Sequence, residues 1–363
     1  MADILDASVR LQELIERRVT LERTIENEQS ELSEQKVTEL DGKYDALQRS
    51  LYRLFRETSD DSLRITIMLE LIRILENKLV HLRHFSVTPA PETRGLAEIV
   101  ARFLDQLEGE PHPPLSPLEL SYYRAIAALH AGDLDRAREG LLATCESEES
   151  DEANDIKFKS YVILGNLFHE EHDYARARDL HDASVQYSRN SNVAAQALAF
   201  KALNSYALGE TEQARSLFES SLALFQRSEP FFNSYFHRNA LLFCGLIYYD
   251  RGEYRKAEKF YQTLVDEVDQ SSYDYFDALT QLGKICYRTG RFDEAVRRFS
   301  NAIEQHRYSE NEHLIDTWFW LARAHVERGD LAEARRCLDK VTTSEVEYGR
   351  KSQAVELLRR LAG

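Results

Sequence analysis

The chain has 363 residues, with 46 Lys and Arg against 62 Asp and Glu and a formal net charge of −16. That balance argues against a nucleic-acid binder working by phosphate neutralisation and against docking on an anionic membrane. Apolar residues at 43 % beside charged residues at 30 % describe a folded, soluble chain, and 14 Gly with 7 Pro is poor material for a loop-rich β protein and points to helix.

From the N-terminus, residues 1–18 alternate charged and apolar side chains at each turn, so no secretory signal is expected. Residues 4–32 then follow a seven-residue repeat. One seam position reads Ile4, Leu11, Arg18, Ile25, Leu32 and the other Ala7, Leu14, Leu21, Glu28. The pattern restarts as Val37, Leu40, Tyr44, Leu47, Leu51, Leu54, five residues after Leu32. Without Gly or Pro at residues 33–36, the expectation leans to one long helix. The cap residues Ser59 to Ser62 open a third helix, Leu63 to Phe85, apolar on more than one face and therefore in need of several partners. Its most apolar stretch is broken by Arg64, Glu70 and Arg73, so no membrane span is expected. Two readings stay open. Residues 1–88 fold on themselves as a helical bundle, or the seam of 4–54 pairs with a second copy as a coiled coil, with Arg18 and Glu28 setting register.

Six of the seven prolines lie within residues 89–117, which reads as a linker holding one short amphipathic helix, Gly95 to Leu107. Beyond it, residues 118–343 repeat. A turn residue is followed by an apolar residue and then Ala: Gly132, Leu134, Ala137; His172, Tyr174, Ala177; Gly209, Thr211, Ala214; Gly252, Tyr254, Ala257; Gly290, Phe292, Ala295; Gly329, Leu331, Ala334. Thr211 alone departs from the apolar type. Turn positions are 40, 37, 43, 38 and 39 residues apart. A small residue stands seven before each turn (Ala125, Gly165, Ala202, Gly245, Gly283, Ala322) and a larger one four after each Ala (Leu141, His181, Phe218, Tyr261, Phe299, Leu338). This is the pattern of helical hairpins. The turn glycine ends the first helix at positive φ, the small residue allows close approach, and the large residue fills the remaining gap. One hairpin cannot bury its own apolar face, but six in series can. Residues 344–363 read as a terminal capping helix.

These residues resemble the tetratricopeptide-repeat family over about two-thirds of the chain. Repeats 4 and 5 match best, through Leu246, Tyr248, Gly252, Tyr254 and Ala257, and through Leu282, Gly283, Tyr287, Gly290, Phe292 and Ala295. The spacing exceeds the usual 34 residues. The resemblance is therefore to the long-repeat branch that includes the bacterial Rap-type regulators and kinesin light chains. It implies an all-α, right-handed superhelical solenoid whose first helices line a groove. By register, one groove column reads Leu129, His169, Tyr206, Tyr249, Tyr287, Val326, and its neighbour Ile126, Asn166, Leu203, Leu246, Lys284, Arg323. Tyr206, Tyr249 and Tyr287 offer flat, semi-polar contact surface. Lys284, Arg288 and Arg323 add positive charge suited to an acidic segment, offset by Asp250, Asp277, Asp316 and Glu327. Phe319, in the cluster Trp318 to Trp320, completes the expected partner-binding set. Val162 and Thr280 stand where the chaperone-binding relatives would want lysine, so that activity is not implied.

Other constellations point away from chemistry. His169 and His172 are three apart rather than the four of the zinc-protease helix, and they straddle a turn. The acidic run from Glu146 to Asp155 lacks the glycine and spacing of a calcium loop. Cys145, Cys244, Cys286 and Cys337 lie at least 42 residues apart and fit buried positions in a reducing cytoplasm, the expected location. No nucleotide or nucleophile motif occurs. The expected function is a non-enzymatic protein-interaction scaffold or adaptor without metal or cofactor, binding a peptide or helix of a partner protein. The alternative is a Rap-like regulator whose groove ligand controls target binding by the N-terminal helices.

Overall fold

The computed structural model describes residues 2–28, 34–79, 87, 93–108, 115–147, 153–228, 234–306 and 309–362. The prolines except Pro117, the expected end of the third helix at Phe85 and the acids at 148–152 lie outside these residues, as do the side chains of Ile4, Ile25, Glu28, Leu32 and Val37. Among the described residues the regular structure is seventeen α-helices. They form two compact units, Met1–Phe236 and His237–Gly363.

The first unit opens with α1 (Ala2–Glu28), α2 (Glu34–Glu57) and α3 (Asp61–Asn77). The expected single long helix over 4–54 is corrected to two antiparallel helices. Arg10 Nη2 at the start of α1 donates to Glu57 Oε2 at the end of α2, 2.8 Å away. The physical reason is the five-residue step from Leu32 to Val37. On one straight helix it rotates the second seam by roughly 140° from the first. Folding back lets both seams face one interior. Leu11, Leu14 and Leu21 of α1 are buried with Leu40, Tyr44, Leu47, Leu51 and Leu54 of α2 and with Ile67, Met68, Leu71, Ile74 and Leu75 of α3. Asp60 caps α3 by accepting from the Leu63 N–H, 2.9 Å away. The apolar α3 packs against α1, α2, α4 and α5. Arg18, polar on the seam, is satisfied within the chain: its Nε lies 2.5 Å from Glu70 Oε2 on α3, and its Nη1 pairs with Glu22.

Next come α4 (Arg94–Glu108) and three hairpins: α5 (Pro117–Ala131) with α6 (Leu134–Glu146), α7 (Asn154–Glu170) with α8 (Tyr174–Val185), and α9 (Ser191–Ala207) with α10 (Thr211–Leu224). Ser116 and Glu119 form a capping box and Pro117 occupies the first turn of α5, where a helix tolerates proline. A single apolar core runs from Ala7 to Phe236. Polar contacts also bind α3 to the hairpins. Glu76 accepts from Tyr122 OH at 3.2 Å and pairs with Lys159 at 2.7 Å. His130 Nε2 donates to the Leu75 carbonyl at 3.1 Å, which leaves Nδ1 to accept from Thr93 at 3.0 Å.

The second unit takes most of α11 (Ser234–Asp250) and continues through α12 (Tyr254–Glu267), α13 (Tyr273–Arg288), α14 (Phe292–Gln305), α15 (Glu312–Arg328), α16 (Leu331–Thr343) and α17 (Lys351–Ala362). All six turn residues have positive φ: Gly132, Gly209, Gly252, Gly290 and Gly329 between 73° and 84°, and His172 at 63°. The small-to-large pairing also holds in space. A Cβ at Gly165, Gly245 or Gly283 would come within 2.5–2.7 Å of the ring of His181, Tyr261 or Phe299. The two helices of each of these hairpins therefore approach to ring-on-backbone distance, and the architecture is an all-α solenoid of stacked hairpins.

Candidate interaction surface

In the second unit, the C-terminal halves of α11, α13 and α15 bring together five of the seven expected site residues. Arg288 Nε donates to Tyr249 OH, 3.3 Å away, linking α13 to α11. Tyr287 OH donates to Glu327 Oε1 at 3.3 Å, linking α13 to α15. Lys284 Nζ pairs with Asp316 Oδ2 at 2.7 Å, and the Arg323 guanidinium lies 4.9 Å from the Tyr287 ring centroid. Tyr249, Lys284, Tyr287 and Arg323 are half-buried and Arg288 is exposed, so the group presents aromatic faces and charge to solvent.

The other two residues lie elsewhere. Tyr206 is half-buried on α9 of the first unit. Phe319 is 3 % exposed and packs edge-on between Trp320 and Tyr348, both ring centroids 6.1 Å away. It is a core residue of the second unit, because at its position α15 faces the segment that follows α16.

Sequence reasoning passed over the centre of this surface, Trp320. Its ring meets Tyr287 edge-on at 5.3 Å, and three guanidiniums lie near its centroid: Arg323 at 4.9 Å, Arg288 at 5.5 Å and Arg350 at 5.6 Å. Each contact of this kind is worth about 0.5–1 kcal/mol at an exposed site. Asp316 ties down the edge. It accepts from Tyr348 OH at 2.6 Å and pairs with Lys284 and Arg350. Burial pushes the Asp316 carboxyl up, but the Lys284 charge and the hydrogen bonds from Lys284 and Tyr348 outweigh it, so the net shift is down. Burial raises the Tyr287 phenol, with Glu327 adding to the rise and Arg323 opposing it. Arg350 and Tyr348 follow α16 and no repeat spacing points to them. The signal within reach was Trp320, already conspicuous in its aromatic cluster.

Metal-like groups elsewhere are engaged otherwise. Glu258, Cys286 and Glu294 have donor atoms within 4.8 Å of one another. The Arg291 guanidinium, however, pairs with Glu258 at 2.9 Å and with Glu294 at 3.1 Å, and burial holds the Cys286 thiol protonated, its pKa pushed up to about 11. His169 bonds Asn204 and His172 bonds Tyr174 OH, each at 2.8 Å. All four cysteines are buried and none forms a disulfide among the described residues. No helix among the described residues is long and apolar enough to cross a membrane.

Three tetratricopeptide-repeat profiles match the chain, over residues 119–139, 201–274 and 274–344. No curated protein sequence matches it. Among solved structures, the apo form of RapI is similar, with a TM-score of 0.59 at 13 % identity over 76 % of this chain and 75 % of that one. The apo form of the quorum sensor NprR from B. thuringiensis aligns at 0.52 and 19 % identity over 80 % of this chain and 79 % of its own. A signal-transduction ATPase with a tetratricopeptide-repeat sensor from Pyrococcus horikoshii aligns at 0.55 and 14 % identity, covering 91 % of this chain and 50 % of its own. At these identities the likeness speaks to fold. With six hairpins carrying the small-to-large pairing and a positive-φ turn in each, the chain is a tetratricopeptide-repeat protein.

Proposed function

We propose that the chain is a protein-interaction scaffold or adaptor that docks a peptide or helical segment of a partner, with acidic character, on the Tyr249–Tyr287–Trp320 surface of the second unit. The observation that carries this reading is the convergence of half-buried tyrosines and cations from three consecutive first helices, in a chain whose net charge is −16. Half-buried tyrosines give contact area at low entropy cost, and a local cationic patch in an acidic protein selects for an anionic partner. The reading assigns no catalytic residue and places the chain in the cytoplasm.

The test is selection of dodecapeptides from a random display library on the full chain. Bound sequences should be recovered, and Tyr249→Ala with Tyr287→Ala should weaken them at least tenfold while circular dichroism stays unchanged. Recovered peptides indifferent to that pair would overturn the assignment of the surface.

A second reading, a regulator in which a bound peptide alters how the N-terminal helices engage a target, is supported by the polar contacts of α3. Glu76 and Leu75 bond Tyr122, Lys159 and His130 directly, so movement of the first hairpins would be felt by α3.

A further inference from the structure

We infer that Arg288 and Arg323, held around Trp320, are an oxyanion anchor for a peptide carboxylate or phosphate; the inference rests on the docking reading above and names the residues that would select its ligand. Among the described residues, Lys284 and Arg350 both have a carboxylate partner in Asp316, whereas Arg288 and Arg323 form no ion pair with any carboxylate. Arg288 is engaged by the Tyr249 hydroxyl and the Trp320 ring, and Arg323 by the phenol and ring of Tyr287 and by the Trp320 ring.

Several other arginines of the hairpins are held differently. Arg138, Arg178, Arg215, Arg291 and Arg328 all meet a carboxylate at the turns or outer faces of the hairpins. Ring contacts with Trp320 and Tyr287 orient the two groups, tyrosine hydroxyls hold part of their N–H edges, and neither meets a carboxylate, which leaves the remaining N–H groups to bind carboxylate or phosphate. Trp320 supplies a further donor. It is 4 % exposed, and its Nε1–H has no hydrogen-bond partner among the described residues. A buried indole N–H without an acceptor is unusual, and an oxyanion held beside the ring by the two arginines can offer one.

The experiment uses peptides selected on the full chain from the random dodecapeptide library. The tightest is synthesised as the free acid, as the C-terminal amide, with each Asp or Glu changed to its amide, and with phosphoserine in place of each acid. Binding is read by titrating the emission of Trp320 in a Trp318→Phe background. Selected peptides should be enriched in acids, and changing one acidic position should weaken binding at least tenfold. Arg288→Gln with Arg323→Gln should abolish that discrimination, while exposed Arg255→Gln with Arg335→Gln leaves it intact. Loss on C-terminal amidation assigns the anchor to the chain terminus, loss on Asp or Glu amidation assigns it to a side chain, and a gain with phosphoserine assigns it to phosphate. Peptides without acidic enrichment, or peptides that bind the arginine double variant as tightly as the wild type, would overturn the anchor. If those same peptides still depend on Tyr249 and Tyr287, the docking surface stands and only the anchor fails.

Discussion

Replacing Gly283 with alanine tests the hairpin packing at its tightest point. An added Cβ would lie 2.5 Å from Phe299 Cε1 and 2.7 Å from Cδ1, closer than carbon atoms can approach. Phe299 is fully buried, so its ring cannot swing into solvent. Overpacking of this kind costs about 1–3 kcal/mol, against roughly 1 kcal/mol gained from the better helix propensity of alanine. The net expectation is a destabilisation of up to about 2 kcal/mol. Repeat 6 indicates the remedy, since it pairs Ala322 with the buried Leu338 at the same positions. Phe299→Leu alone leaves a cavity and should cost about 1–2 kcal/mol. The double variant should be more stable than the sum of the two singles by about 1 kcal/mol or more, because the new methyl fills the space the ring vacated. Urea unfolding followed by tryptophan fluorescence reads the effect, as both tryptophans, Trp318 and Trp320, sit on α15 of the same unit. Gly42 on α2 is the control. A Cβ there meets nothing within 4 Å, so Gly42→Ala should stabilise the first unit by about 0.5–1 kcal/mol in a far-UV melt. If Gly283→Ala stabilised the protein as Gly42→Ala does, or if the double variant were merely additive, the ring-on-glycine account of the hairpins would be refuted.

Three further outcomes follow from the first unit. His172, at φ 63°, takes the turn position that glycine holds in the other five repeats, so His172→Gly should raise stability by about 0.5–1 kcal/mol in thermal melts, less whatever the exposed bond to Tyr174 contributes. Arg18→Ala leaves Glu70, 2 % exposed, without one of its cations and should destabilise by about 3 kcal/mol by urea titration, whereas Arg18→Met with Glu70→Met should recover most of that loss. His181 is fully buried, and burial depresses its pKa to about 3 from an ordinary 6.5. The unfolded chain therefore binds a proton below pH 6.5 that the native state refuses. The stability due to neutral His181 is complete above pH 6.5 and is lost as pH falls toward 3, at up to about 1.4 kcal/mol per pH unit. His181→Phe, which puts in repeat 2 the ring that Phe218 and Phe299 supply in theirs, should flatten the pH-stability profile between pH 6 and 4 relative to wild type.

Most of the repeat architecture was legible because each hairpin is a local object. Turn glycine, small residue, alanine and large residue lie within about one helical hairpin of one another, and the structure places Gly165 on His181, Gly245 on Tyr261 and Gly283 on Phe299 as their spacing implied. The substitution of His172 for glycine was equally readable, since the chain must still turn there and does so with positive φ. Less local features were not readable. The heptads of α1 and α2 specify an apolar seam without saying what covers it, and the sequence at 29–33 between them carries no glycine or proline. Arg18 looked costly on that seam because its partner, Glu70, lies 52 residues away on α3. Phe319 and Trp320 are neighbours in an aromatic cluster, and register alone did not distinguish the core ring from the one roofed by arginines. Arg350 and Tyr348 join the surface only because the chain after α16 returns to Asp316.

The central claim is that partner segments dock on the Tyr249–Tyr287–Trp320 surface of the second unit. Its most direct measurement is photo-crosslinking of a display-selected peptide to full-length chains carrying benzoylphenylalanine in place of Tyr249, Tyr287 or, as a control on the exposed face of α14, Arg297. The account predicts adducts at Tyr249 and Tyr287, competed by unlabelled peptide, and none at Arg297. Adducts confined to Arg297, or spread equally over all three positions, would contradict it.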